Sequence, residues 1–124
     1  MRKKYPIITL CGSTRFKSEF EKAQKDLTLE GYIVISVGLF GHSGDDEVWG
    51  GKSEDTVTET KAMLDDMHKE KIDLAKCIYV INPGGYIGDS TWSEICYARM
   101  TKKDIKWLEN VPMNVVDCKV AHHR

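Results

Sequence analysis

No apolar run in this chain approaches the roughly 18 residues that a membrane-spanning helix requires. Charge of one sign is missing too. Eighteen Lys and Arg stand against 19 Asp and Glu, for a net charge of -1, so no basic field marks out a nucleic acid polymer or an anionic membrane as partner. The opening Met1-Arg-Lys-Lys-Tyr-Pro6 lacks the apolar core of a signal peptide, and the expectation is a cytoplasmic protein. Four cysteines, Cys11, Cys77, Cys96 and Cys118, are widely spaced, with no Cys-x-x-Cys pair and no histidine at zinc-ligand spacing. That pattern argues against a disulfide framework or a zinc module, so reduced, mostly buried thiols are expected, with no metal and no cofactor. Repeats, linkers and low-complexity segments are lacking, and His122 and His123 in the polar tail carry no assignment. With 124 residues, 41% of them hydrophobic, the chain suffices for one packed domain spanning 1–124.

What is present is an alternation of strand and helix. Ile7-Ile-Thr-Leu-Cys11 reads as a strand that opens through Gly12 into a helix carrying Phe16, Phe20, Ala23 and Leu27 on one face and ended by Gly31. Tyr32 to Val37 is a second strand, apolar enough to be buried on both faces. A long loop from Gly38 to Ser53 has five glycines with Phe40 and Trp49, which suits a mobile cover over a flat ligand such as a nucleobase. From about Ser53 to Lys76 the pattern is helical, with Leu64, His68, Ile72 and Ala75 in one stripe widened by Met63 and Met67. Ile78-Tyr-Val-Ile81 is a third strand, followed by a glycine loop and a helix packing through Ile95, Cys96, Ala98 and Met100. Ile105 to Leu108 is a fourth strand, and Asn114 to Asp117 a candidate fifth. Right-handed crossovers then give an α/β fold, a three-layer αβα sandwich around a Rossmann- or flavodoxin-like parallel sheet of four to five strands, ordered 2-1-3-4.

In such a sheet ligands bind beyond the carboxyl ends of the strands, where glycine loops let backbone amides approach and helix N-termini favour anions. Two loops meet there. Gly12, Ser13, Thr14 and Arg15 combine hydroxyls with a guanidinium fork, and Gly85, Asp89 and Ser90 lead into a helix whose first turns carry Glu94. An alternative stands beside this: Ser13 is also an ordinary N-cap, and Thr91-Trp-Ser-Glu94 has the form of a capping box. His68 faces inward on its helix, with Asp65 one turn earlier, either as a core-edge histidine and a solvated carboxylate or as members of a site.

Both loops resemble the nucleoside 2-deoxyribosyltransferase superfamily, in particular its branch of 2'-deoxynucleoside 5'-monophosphate N-glycosidases, over roughly Ile7 to Leu108. Cys11-Gly-Ser-Thr-Arg15 is similar to that branch's phosphate loop, which implies that Ser13 and Arg15 hold a 5'-phosphate. Glu94 falls where the family has its nucleophile and Ser90 on the phosphate-side loop. The sequence departs at Lys69, where many members have a helical aspartate, at Ser90-Thr-Trp92, which replaces Gly-x-Gly, and at Thr9, often tyrosine. The resemblance implies cleavage or transfer at the N-glycosidic bond of a nucleoside or its 5'-monophosphate, with Glu94 attacking the anomeric carbon and His68 or Asp65 protonating the leaving base. It further implies a homodimer. The alternative is a non-catalytic nucleotide-binding or sensing module on the same fold.

Overall fold

A computed structural model describes residues 2–40 and 54–111. In chain order they form β1 (Ile7–Gly12), α1 (Lys17–Leu29), β2 (Ile33–Ile35), α2 (Glu54–Leu74), β3 (Cys77–Ile81), a 3-10 turn at Pro83–Gly85, α3 (Asp89–Met100) and β4 (Asp104–Trp107). All pairings are parallel and the strand order is β2-β1-β3-β4. The chain leaves β1 towards β2 on one side and comes back to β3 on the other, so the direction of winding reverses between β1 and β3, and their carboxyl ends open a crevice.

The two central strands are largely apolar because both of their faces are covered. Ile8, Leu10, Cys77 and Ile81 pack with Phe20, Ala23 and Leu27 of α1. Cys11, Ile78 and Val80 pack with Ile72 of α2 and with Ile95 and Ala98 of α3. These sets alternate along each strand, as the pleat demands, so α1 serves one face and α2 and α3 the other. Gly12 is needed where β1 and β3 converge: a Cβ there would stand 2.8 Å from the Ile81 carbonyl oxygen and 3.1 Å from Ile81 Cβ.

Helix ends follow local chemistry. Beyond α1, Gly31 takes φ 99°, and the amides of Gly31 and Tyr32 donate to the carbonyls of Thr28 and Leu27 (3.0 and 3.1 Å), which is a Schellman closure. The same closure ends α3, with the amides of Lys102 and Lys103 bonded to Arg99 and Ala98 (3.1 and 2.8 Å). Here Lys102 rather than glycine sits at φ 62°. Thr9, buried on β1, donates its hydroxyl to the Lys71 carbonyl at 2.8 Å and so ties α2 to the sheet. Tyr97 of α3 donates to Asp73 Oδ1 at 2.6 Å, joining α3 to α2.

Several sequence expectations change. The second strand is three residues long, and Ile33 is half exposed, because β2 lies at a sheet edge and only part of it is covered. Met63 and Met67 do not widen the buried stripe of α2, and Met100 does not pack inward; all three are exposed. Cys11 and Cys77 are free and buried as expected, whereas Cys96 is disulfide-bonded. Residues 41–53 of the long loop, with Trp49, and the candidate fifth strand lie outside the described residues. No described helix is long and apolar enough to cross a membrane.

Candidate active site

A cavity of about 550 Å³ opens at the carboxyl ends of β1 and β3. Its wall on the β1 side is Gly12 to Arg15; on the α3 side it is Gly88 to Thr91 with Glu94, and α2 contributes Asp65, His68 and Lys71. The structure thus brings Gly12, Ser13, Arg15, Asp65, His68, Asp89, Ser90 and Glu94 to one place. Gly85 does not line it.

The glycine loop explains why. Gly84 and Gly85 adopt φ 65° and 82° to make the turn after β3, and both amides already have partners in the protein. The Gly84 amide donates to the Glu109 carboxylate at 2.7 Å and that of Gly85 to the Asn82 carbonyl at 2.8 Å. Asn82, fully buried, accepts from the Glu109 amide and donates to its carbonyl, both at 2.9 Å. The loop is therefore anchored to the chain beyond β4, and its glycines serve the turn rather than a ligand.

The N-cap of α3 is Gly88, with no side-chain cap, and the Trp92 amide donates to the Gly88 carbonyl at 2.9 Å. Thr91 therefore stands within the helix, and the capping-box alternative for Thr91 and Glu94 falls away, since that motif needs Thr91 at the cap itself. Ser13 is likewise no helix cap: α1 starts four residues on, with Phe16 as its N-cap. Ser13 Oγ instead accepts from the Arg15 amide and from Arg15 Nε, at 3.3 and 3.1 Å. The guanidinium carbon lies 4.6 Å from the centre of the Tyr86 ring, and Tyr86 meets Phe16 edge-on at 5.8 Å. Stacking and the hydroxyl hold the fork at the mouth of the cavity.

Below it three titratable groups converge. Glu94, with 14% of its side chain exposed, comes from α3; His68, 7% exposed, from α2; and Cys11, inaccessible, from the end of β1. Cys11 Sγ lies 3.5 Å from His68 Nε2, and Glu94 Oε1 lies 3.8 Å from the same nitrogen. Burial pushes the Glu94 carboxyl up to about 8, helped by the negative charge of Asp65 and opposed by the Cys11 hydrogen bond and by Lys69 and Lys71. Burial, with Lys71 next, pushes His68 down to about 4, against a hydrogen bond with the Leu10 backbone. The Cys11 thiol is raised by burial and then by Glu94. At neutral pH the 3.8 Å approach is thus a contact between a neutral ring and a mostly protonated carboxyl rather than an ion pair.

Lys71 and Tyr86 are additions to the site. Lys71 donates to the Ser36 carbonyl at 2.8 Å and is made less basic by burial. Its position three residues after His68 puts it on the same helical face, a signal the sequence did hold. Tyr86 had no such signal, because its direction depends on the turn at Gly84 and Gly85. Comparison with protein-family models, with curated proteins and with solved structures returns no match.

Proposed function

We propose that this protein cleaves or transfers at the N-glycosidic bond of a nucleoside or its 5'-monophosphate, with Glu94 as nucleophile. The observation that carries this reading is Glu94 itself. It makes no helix cap, is withdrawn from water, and sits under a cavity whose opposite wall presents Arg15 and Ser13. A buried carboxyl raised to about 8 lowers stability when ionised, and such groups concentrate where chemistry is done. The likeness of Cys11-Gly-Ser-Thr-Arg15 and of the Glu94 position to the deoxyribosyltransferase superfamily supports the same assignment.

In this mechanism Arg15 and Ser13 hold the phosphate, which fixes the sugar over α3. Glu94, as carboxylate, attacks the anomeric carbon while the bond to the base breaks, and water or a second base then releases the glycosyl group. The leaving base needs a proton. His68 is unsuited, since it is neutral at the working pH and its Nε2 faces Cys11 and Glu94. Lys71 lines the cavity, and its lowered basicity makes it a readier donor than an ordinary lysine. Asp65 lines the same cavity and acts electrostatically on Glu94, so it takes the place of the helical carboxylate that Lys69 does not provide.

One observation favours a second reading, a nucleotide-binding module without turnover: Glu94 holds its proton up to about 8, and an uncharged carboxyl does not attack. Incubation with nucleosides and their 5'-monophosphates, followed by chromatography for free base, separates the two. Base release that disappears in Glu94→Gln supports the enzyme; binding without release supports the module.

A further inference from the structure

We propose that Cys11, His68 and Glu94 form a three-ligand site for zinc, with its fourth coordination position facing the cavity. Their donor atoms, one from each residue, all lie within 4.8 Å of one another. Tetrahedral zinc, with bonds of about 2.3 Å to sulfur and about 2.0 to 2.2 Å to nitrogen and oxygen, requires donor separations of about 3.4 to 3.6 Å. The Sγ–Nε2 separation of 3.5 Å already meets that, the Nε2–Oε1 separation of 3.8 Å needs a small closure, and the thiol–carboxylate pair, within 4.8 Å, closes by up to about 1 Å on loading.

The donor set selects the metal. A thiolate beside an imidazole and a carboxylate suits a borderline ion, whereas calcium and magnesium prefer all-oxygen shells. Three protein ligands rather than four is the pattern of zinc sites that keep a position for water or ligand. Here His68 and Glu94 line the cavity and Cys11 lies behind them, so that position opens where the sugar of a nucleotide would stand. The histidine is also held as a ligand should be, through its hydrogen bond with the Leu10 backbone.

Charge balance points the same way. Loading releases the Cys11 proton and, where Glu94 is protonated, that proton too, while neutral His68 gives up none. Two anions and a divalent cation leave the buried cluster neutral. The ligands come from β1, α2 and α3, which the Thr9–Lys71 and Tyr97–Asp73 hydrogen bonds already hold together. Zinc on Glu94 removes its free carboxylate, so zinc loading and attack by Glu94 exclude each other. The metal site itself does not rest on the glycosidase reading.

The test is titration of the chelator-treated full chain with cobalt(II), followed by displacement with zinc. One cobalt per chain should give the thiolate charge-transfer band and the intense visible bands of tetrahedral coordination, and zinc should erase both. Cys11→Ser should lose the charge-transfer band, and Glu94→Gln, which preserves shape, should weaken cobalt binding at least tenfold. Zinc should raise the wild-type melting temperature and leave that of Glu94→Gln nearly unchanged. The double variant His122→Ala/His123→Ala and the single variant Cys77→Ser should bind as wild type. A wild type without the bands, bands that survive in Cys11→Ser, or binding lost with the tail histidines would overturn the site. Base-release assays on chelated protein are scored separately, so either proposal can fail alone.

Discussion

Glu94→Gln tests the site most sharply, because it keeps the shape and the hydrogen-bonding capacity of the side chain and removes only its ability to ionise. In the wild type the folded protein keeps a proton on Glu94 up to about 8, whereas an ordinary glutamate loses it near 4.5. The folded state therefore binds more protons than the unfolded one across that interval, and wild-type stability falls as pH rises through it. At about 1.36 kcal/mol per pH unit the full loss is on the order of 5 kcal/mol, most of it between about pH 5 and 9. His68, displaced the other way to about 4, costs stability only as pH falls below its ordinary 6.5, in both proteins alike. Glu94→Gln should consequently match the wild type near pH 5 and exceed it at pH 9 by about 2 to 4 kcal/mol, or roughly 10 °C in melting temperature. Thermal melts at intervals from pH 5 to 9, with chelator present, read this directly. Two stability curves that run parallel over that range would show that Glu94 is not held protonated, and the electrostatic argument would fail. The same variant should lose base release by several orders of magnitude while still binding nucleotide.

Arg15→Ala should weaken a 5'-monophosphate by about one to two orders of magnitude, as expected for about 1.5 to 3 kcal/mol from a charge-assisted contact, and leave the nucleoside nearly unaffected in calorimetric titration. Lys71→Met removes a cation that lowers the Glu94 value, so the pH at which kcat/KM reaches its plateau should move upward from about 8; a profile that stays in place would detach Lys71 from Glu94. Gly12→Ala should cost about 1 to 3 kcal/mol in denaturant unfolding, because the added methyl meets the Ile81 backbone rather than a movable side chain. Lys102→Gly should gain about 1 kcal/mol in the same assay by relieving the left-handed residue that closes α3.

The sheet order and the placement of the crevice were legible because they depend on periodicity and on the handedness of crossovers, both carried by local pattern. β1, α1, β3 and α3 could be found for that reason. The exposure of β2 was not legible: Tyr32 to Val37 is as apolar as a central strand, and only its place at the sheet edge uncovers Ile33. In the site, Ser13 and Arg15 were identifiable by residue type, but their mutual bond and the Tyr86 stack are set by a loop with no periodicity. Gly85 misled for a related reason. Its positive φ serves a turn whose partner, Glu109, lies beyond the next strand, and no local rule links the two. The cysteine spacing excluded a contiguous zinc motif, yet Cys11, His68 and Glu94 are assembled from three distant segments, a juxtaposition that exists only after folding.

What separates Glu94 from a structural glutamate is the sign of its surroundings. A carboxylate kept for stability is given hydrogen bonds and cations that hold its value down, as at an N-cap or in a paired bridge. Here the largest influence is burial and the next is a second carboxylate, Asp65, while the cations Lys69 and Lys71 offset only part. Replacing Glu94 by leucine would therefore be expected to stabilise the fold above pH 8, even though it abolishes every chemical use of the position. Its neighbours make the same point: the raised Glu94 carboxyl, the depressed His68 imidazole and the raised Cys11 thiol meet at His68 Nε2, and all three favour their uncharged forms. Such a cluster is at rest when neutral, and near neutral pH a cation that enters it, whether the developing oxocarbenium of a sugar or a metal ion, favours ionisation of Glu94. The test that follows is protonation during binding: a cationic sugar mimic, titrated near pH 7 in buffers of different ionisation enthalpy, should release protons from Glu94, and a neutral nucleoside should release none. Equal proton release for both ligands, or none from either, would remove the coupling between bound charge and Glu94.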